Sequence, residues 1–261
     1  MKSIGKENMN QGEGDNCSMK RIIPIIILIL ALFSCNNSKS GKDYAPEDIT
    51  PVCLVDRIDT DSLIILSPKY SKVDLVCETM PSRRDTSVLL CAEACFTGQC
   101  LKEFDHFNIA GDHVSNGIRF HGYKCKRNTG AFVYYNGKWQ FLYQNYSSDM
   151  DIAATNGGCA FAQEMIIHNG KLVAAVRKDS NRNQFRALCQ RNDSLCVIES
   201  STVISYGDFK SALLRQKVQQ AIYLDMGVGW NHAWYRAHND SIKELHPKAH
   251  NYCTNWITFY K

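Results

Sequence analysis

Long hydrophobic runs are the first thing this chain lacks. The apolar run Ile22–Phe33, interrupted by Pro24, falls short of the ~20 residues a bilayer-spanning helix needs. A charge excess of one sign is also missing. The 261 residues carry 30 Lys+Arg and 26 Asp+Glu, and residues 1–35 hold four of the former (Lys2, Lys6, Lys20, Arg21) and three of the latter (Glu7, Glu13, Asp15). The chain beyond residue 35 therefore has 26 basic and 23 acidic groups, net +3, evenly spread. That balance argues against nucleic acid as a partner. Internal repeats and low-complexity tracts are absent as well. Cys91, Cys95 and Cys100 lack the paired Cys-x-x-Cys spacing of a zinc site, and no metal or other cofactor is expected from them. What the chain has is 44% hydrophobic and 21% charged residues, the composition of a packed globular core.

The N-terminal segment reads as an address. Lys20 and Arg21 precede the apolar run, which ends in Leu32-Phe33-Ser34-Cys35. This order resembles a bacterial lipobox, so 1–35 is expected to be a lipoprotein signal peptide, with Cys35 acylated as the mature N-terminus. A plain signal peptide, or an anchor helix with a stray cysteine, is the alternative. The long polar stretch before Met19 points to Met19 as the true start. Residues 36–49 form a polar tether, and 50–261 the folded domain. Such a protein is exported to the cell envelope and held at a membrane by lipid. Of the twelve cysteines, Cys17 and Cys35 belong to the leader. The other ten are expected in an oxidising space, where some should pair, and Cys189 with Cys196 is a plausible local disulfide across a hairpin.

Within the domain, Ser62–Leu66, Lys72–Cys77, Gly117–Gly122, Gly130–Tyr135, Ala221–Leu224 and Trp256–Tyr260 read as strands. Ser87–Cys100 is ambiguous between helix and strand. Asn136-Gly137 and Asn169-Gly170 predict tight hairpins, because Asn-Gly tolerates the positive φ such turns need. A third hairpin is expected around Arg191-Asn192-Asp193. Asp208 is read as the cap of a helix running to about Val218, with Phe209, Ala212 and Leu213 on one face. The sum is a single α+β domain, strand-rich and mixed, with a few helices.

Three places hold the ingredients of a site. In Ala221–Trp230 a buried strand runs into Asp225 and the glycines Gly227 and Gly229, which would present one carboxylate at a pocket floor; an ordinary turn is the alternative. In Asp151–Phe161 a short strand is expected to end in Asn156-Gly157-Gly158, whose amide and backbone N–H groups suit sugar hydroxyls or phosphate oxygens; a tight turn would look the same. Arg186 alternates onto the face of Gln184 and Leu188, as a fork for phosphate or carboxylate or as half of a structural ion pair. Glu93 and Glu164 are candidates for a second carboxylate. His232 comes soon enough after the glycine turn to lie near Asp225. Trp230, Trp234 and Tyr235 would stack on a sugar or fill core. The histidines of His232–His238 and His246–His250, with His113 and His121, leave a metal site as a weaker possibility.

Taken in order, Asn156-Gly157-Gly158, Arg186-Ala187-Leu188, the Asp208 helix and Leu224-Asp225-Met226-Gly227 resemble the motifs of the phosphodiester glycosidase family, the bacterial relatives of the enzyme that uncovers mannose-6-phosphate on lysosomal enzymes. The resemblance covers roughly Asp151–Lys261. This chain departs from the family where Cys159-Ala160-Phe161 replaces an aromatic pair, where Met226 and Val228 break a triple glycine, and where Trp230 stands near a serine position. The resemblance implies a hydrolase of sugar phosphodiesters or related glycans. Asp225 would stabilise an oxocarbenium-like centre or activate water, Arg186 would bind phosphate, and Asn156, Gly157, Gly158, Gly227, His232 and Trp230 would line the sugar site. No cofactor is implied. A non-catalytic glycan-binding or structural surface lipoprotein, and a metal-dependent hydrolase, are the competing expectations.

Overall fold

The architecture arises from central strands buried on both faces, such as Val88–Glu93 and Gln220–Leu224, and from two short helices. The structure, a computed structural model, describes residues 54–97, 109–122, 128–227, 231–247 and 252–261. All of these belong to one compact unit, Ile49–Lys261. The strands in chain order are β1 (Val55–Asp59), β2 (Leu63–Pro68), β3 (Lys72–Cys77), β4 (Val88–Glu93), β5 (His113–Ser115), β6 (Ile118–Phe120), β7 (Thr129–Tyr135), β8 (Lys138–Tyr143), β9 (Cys159–His168), β10 (Lys171–Leu172), β11 (Arg182–Asn183), β12 (Arg186–Arg191), β13 (Ser194–Ser200), β14 (Ile204–Ser205), β15 (Gln220–Leu224), β16 (Ala233–Arg236), β17 (Ile242–Leu245) and β18 (Asn255–Tyr260). Two α-helices accompany them, α1 (Ser147–Thr155) and α2 (Tyr206–Arg215), of nine and ten residues. The expected α+β class is thus corrected: the fold is mostly β. The ambiguous segment after Ser87 resolves as β4, which is buried along its whole length between β16 and β18 and so shows no alternation.

An eleven-stranded antiparallel sheet runs β1-β2-β13-β12-β15-β9-β5-β6, with β7, β8 and β10 joined through β9 and β7. A five-stranded sheet runs β17-β16-β4-β18-β3. The main core lies between them. Leu66, Leu188, Val197, Ile222 and Leu224 of the large sheet meet Val73, Leu90, Ala92, Ile257 and Phe259 of the small one. The opposite face of the large sheet, with Ile65, Ala187, Ile198 and Tyr223, packs against Phe209, Ala212 and Leu213 of α2. Burying the Phe209 and Leu213 side chains stabilises by about 1.5–3 kcal/mol each. The far face of the small sheet buries Cys91, Trp234 and Trp256.

All three expected hairpins form with two-residue turns. Asn136/Gly137, Asn169/Gly170 and Asn192/Asp193 all adopt positive φ, and the flanking residues pair directly. The cap of α2 is not Asp208. Ser205 Oγ accepts from the Asp208 N–H at 3.0 Å, so Ser205 is the cap and Asp208 sits within the first turn, where its carboxylate favours the helix N-terminus. The helix ends at Arg215 rather than near Val218, and Lys217 turns the chain with φ +58°.

Two further expectations fail. The stretch from Asp151 is not a strand but the second half of α1, whose buried Met150 and Ala153 are spaced three apart on one face. Its start at Ser147 lies outside the short window that read as extended. The described cysteines, Cys77, Cys91, Cys95, Cys159, Cys189, Cys196 and Cys253, form no disulfide with one another, and Cys53, Cys100 and Cys125 lie outside the described residues. Cys189 and Cys196 do stand directly opposite each other on β12 and β13, but as separate buried thiols.

Candidate functional site

Asp225 is the first residue beyond β15, and the small sheet meets it there. Its backbone N–H donates to the carbonyl of Ala94 at 3.0 Å, one residue past Glu93 at the end of β4. Its Oδ1 accepts from the Gly227 N–H at 2.9 Å, an Asx-type turn that fixes the carboxylate. Burial, with 7% of the residue exposed, pushes the Asp225 carboxyl up to about 6, against the opposing pull of the Gly227, Met226 and Thr97 N–H groups and the Arg177 charge. Glu93 is fully buried. Desolvation first, and the Asp225 charge in addition, hold its carboxyl well above the usual carboxylate range, while the Cys253 thiol, the Thr254 N–H and Arg186 partly offset them. Asn255 Nδ2 donates to Glu93 Oε1 at 3.4 Å, and Asn255 Oδ1 accepts from the Cys95 N–H at 2.7 Å. Both carboxyl groups are thus buried near where the end of β15 meets the end of β4, and burial raises both, Asp225 to about 6.

Arg186 has its bonding capacity committed within the fold. Its Nε and Nη2 reach Glu199 Oε2 at 2.8 and 2.6 Å, Nη2 also donates to the Asn231 carbonyl at 2.8 Å, and Nη1 to the His232 carbonyl at 3.3 Å. The residue is completely buried. Glu199 accepts from His246 Nε2 on its other oxygen at 2.5 Å. Burial alone would raise the Glu199 carboxyl, but the Arg186 charge and the His246 bond outweigh it and hold it below its ordinary value. Of the two roles open to Arg186, the structure gives it the ion pair: it ties β12 to β13 and to the segment entering β16. Counting outward from the Asn192-Asp193 turn sets Arg186 opposite Glu199, so this partner was readable from the hairpin register.

The Asn156-Gly157-Gly158 stretch is the stop of α1. Gly157 N–H donates to the Ala154 carbonyl at 3.2 Å and Gly158 N–H to the Ala153 carbonyl at 2.8 Å, the two bonds of a Schellman motif, with Gly157 at φ +63°. A Cβ on Gly158 would lie 2.1 Å from the Tyr134 carbonyl oxygen, so glycine there permits the approach of β7. Asn156 Nδ2 donates to the Ile152 carbonyl at 2.8 Å and its Oδ1 accepts from Asn136 at 3.2 Å. The donors expected to face a sugar are spent within the fold. This turn also lies away from Asp225: Gln163, which shares the Ala94 carbonyl with Asp225, is four strand residues from Cys159, ~13 Å at ~3.3 Å per residue, and Asn156 lies beyond that.

The remaining candidates divide. His232 is buried next to Glu93, whose N–H donates to the His232 carbonyl at 3.2 Å, but its ring Nε2 is directed to Glu244 Oε2 at 3.5 Å. Glu164 lies on the α2 side of the large sheet, where it accepts from the Tyr206 hydroxyl at 3.0 Å and from Arg177 Nη2 at 3.2 Å. Trp234 and Tyr235 are buried in core clusters rather than offered to a ligand. Trp230 and Cys35 lie outside the described residues. Among the described residues, no group of three His, Cys, Asp or Glu side chains is placed to hold a metal ion. Arg177, Glu199, Cys253 and Asn255 were not singled out by sequence; Arg177 sits in a stretch without periodicity, Glu199 emerges only from counting the hairpin register, and Cys253 and Asn255 act through contacts distant in the chain.

The fold resembles that of a protein of known structure. The catalytic domain of zebrafish N-acetylglucosamine-1-phosphodiester alpha-N-acetylglucosaminidase, in a form auto-inhibited by its pro-peptide, is similar over 80% of this chain and 82% of its own, with a TM-score of 0.53 and 11% sequence identity. That likeness is one of fold. A hypothetical protein from Synechocystis matches 79% of this chain and 61% of its own at 10% identity, with a TM-score of 0.44. No protein-family model and no curated protein matches the sequence.

Proposed function

We propose that this chain is an exported, lipid-anchored hydrolase that cleaves the bond between a sugar's anomeric carbon and a phosphodiester oxygen, on envelope or host glycans. The observation that carries the reading is the buried Asp225 carboxyl, fixed by the Gly227 N–H just past β15 and raised by burial, whose backbone bonds the Ala94 carbonyl next to the likewise buried and raised Glu93. In this reading Asp225 is the ionised group and Glu93 the acid, the division of labour glycoside hydrolysis uses. In this reading the Asp225 carboxylate stabilises positive charge at the anomeric carbon or takes a proton from the attacking water. Glu93 holds a proton near the leaving oxygen. The leaving phosphate is itself stable as an anion, so the demand on the acid is modest. The fold likeness to a phosphodiester glycosidase catalytic domain agrees with this chemistry. The membrane link and cell-envelope location rest on the Lys20–Cys35 pattern. The test is release of chromophore from aryl sugar phosphodiesters: the native chain is expected to turn over at least one, and Asp225→Asn to lose it. Wild-type turnover by that variant would sink the assignment.

A second reading, a non-catalytic glycan-binding surface lipoprotein, draws on one observation. Arg186 is locked in an internal ion pair and both carboxyls are buried, an arrangement a structural polar core also adopts. It predicts binding of neutral glycans without turnover.

A further inference from the structure

Arg177 lies between β10 and β11, and its side chain crosses the α2 face of the large sheet. Its guanidinium carbon sits 4.6 Å from the centre of the Tyr223 ring, 5.4 Å from that of Tyr206 and 5.9 Å from that of Phe185. Nη2 donates to Glu164 Oε2 at 3.2 Å, and the Tyr206 hydroxyl holds the other Glu164 oxygen. The segment carrying it is pinned to the start of α2. The Asp179 carbonyl accepts from Gly207 N–H at 3.0 Å, the Asn181 carbonyl from Tyr206 N–H at 2.8 Å, and the Asp179 carboxylate from Lys210 at 2.6 Å. The cation is thus held in place before any ligand arrives.

The contrast with Arg186 is instructive. Arg186 is wholly buried and makes four bonds, whereas the Arg177 side chain is 24% exposed. Its buried Nε has no hydrogen-bond partner among the described residues. A guanidinium seated on aromatic rings, with part of its surface exposed, is suited to binding phosphate oxygens. Tyr223, over whose ring Arg177 sits, is two residues before Asp225 in the chain. The Arg177 charge is felt at Asp225.

We infer that Arg177, not Arg186, is the residue that recognises the anionic half of the substrate, binding the non-bridging oxygens of the phosphodiester while the sugar carbon faces Asp225. Glu164 and Tyr206 are its positioning residues. The inference rests on the hydrolase reading for its substrate, but phosphate binding tests it separately. Calorimetric titration with inorganic phosphate is made on the native chain, on Arg177→Gln and on Arg177→Lys, which keeps a cation over the rings and controls for folding. The native chain binds phosphate, Arg177→Gln binds about tenfold or more weakly, and Arg177→Lys falls between. The sugar phosphodiester assay should show a raised KM in Arg177→Gln. Absence of phosphate binding by the native chain, or equal binding by all three, overturns the inference. Phosphate binding that depends on Arg177, with no turnover of any sugar phosphodiester, upholds Arg177 and refutes the hydrolase. Turnover with an unchanged KM in Arg177→Gln does the reverse.

Discussion

Replacing Asp225 by Asn should make the protein more stable at neutral and alkaline pH. An aspartate with an ordinary value near 3.8 that is pushed up to about 6 by burial holds its proton more tightly folded than unfolded. Below pH 4 both states are protonated and the shift contributes nothing unfavourable. Between roughly pH 4 and pH 6 the unfolded chain releases the proton first, and stability falls as pH rises. Above pH 6 the folded chain carries a buried carboxylate at a cost. Two pH units at ~1.4 kcal/mol each put that cost at about 3 kcal/mol, a ceiling that residual solvation lowers. Asparagine is neutral throughout and its side-chain oxygen keeps the bond from the Gly227 N–H. Urea unfolding of the two proteins at pH 4, 6 and 8 should therefore give curves that nearly coincide at pH 4, with Asp225→Asn ahead by about 1–3 kcal/mol at pH 8. A variant no more stable at pH 8 than at pH 4, relative to the native chain, would refute the buried-carboxylate argument.

Three further outcomes rest on named contacts. Arg186→Met strands the buried Glu199 carboxylate and should cost about 3–5 kcal/mol in chemical denaturation, with Arg186→Met/Glu199→Leu recovering much of it; a stable but inactive Arg186→Met would instead put Arg186 in the reaction. Glu199 favours folding above its ordinary value because its folded carboxyl is held lower, so its contribution should fade as pH falls through that folded value, and a Glu199→Gln variant should lose most of its deficit in acid. Gly157→Ala should cost about 1 kcal/mol for its left-handed φ, without changing turnover per folded molecule, because that turn ends a helix and lies away from Asp225.

The local features of the fold were legible because their causes are local. Asn136-Gly137, Asn169-Gly170 and Asn192-Asp193 each specify a turn within two residues, and β15 and β18 are short apolar runs that tertiary packing only had to accept. The α1 helix was missed because Ile152-Ala153-Ala154 looks extended until Met150 and Ser147 are counted with it. Asn156-Gly157-Gly158 was misread for a related reason: a helix stop and an oxygen-binding turn use the same residue types, and only the helix before it decides. The class leaned too far toward helix because a strand buried on both faces, such as β4, carries no alternation. At the site, Asp225 was visible as the acid ending a buried strand. The approach of the β4 end that carries Glu93 was not, since it depends on how two sheets meet. Arg177 left no periodic trace, while Arg186 drew notice by standing in a strand, where a buried pair across the hairpin is its ordinary fate.

The measurement that bears most directly on the central claim is the pH dependence of sugar phosphodiester hydrolysis by the native chain and by Asp225→Asn. With Asp225 as the ionised group and Glu93 as the protonated one, kcat/KM should rise through an acid limb near pH 6 and fall again only at higher pH, and Asp225→Asn should abolish turnover. A profile flat across pH 6, or an Asp225→Asn variant with native turnover, would contradict the account.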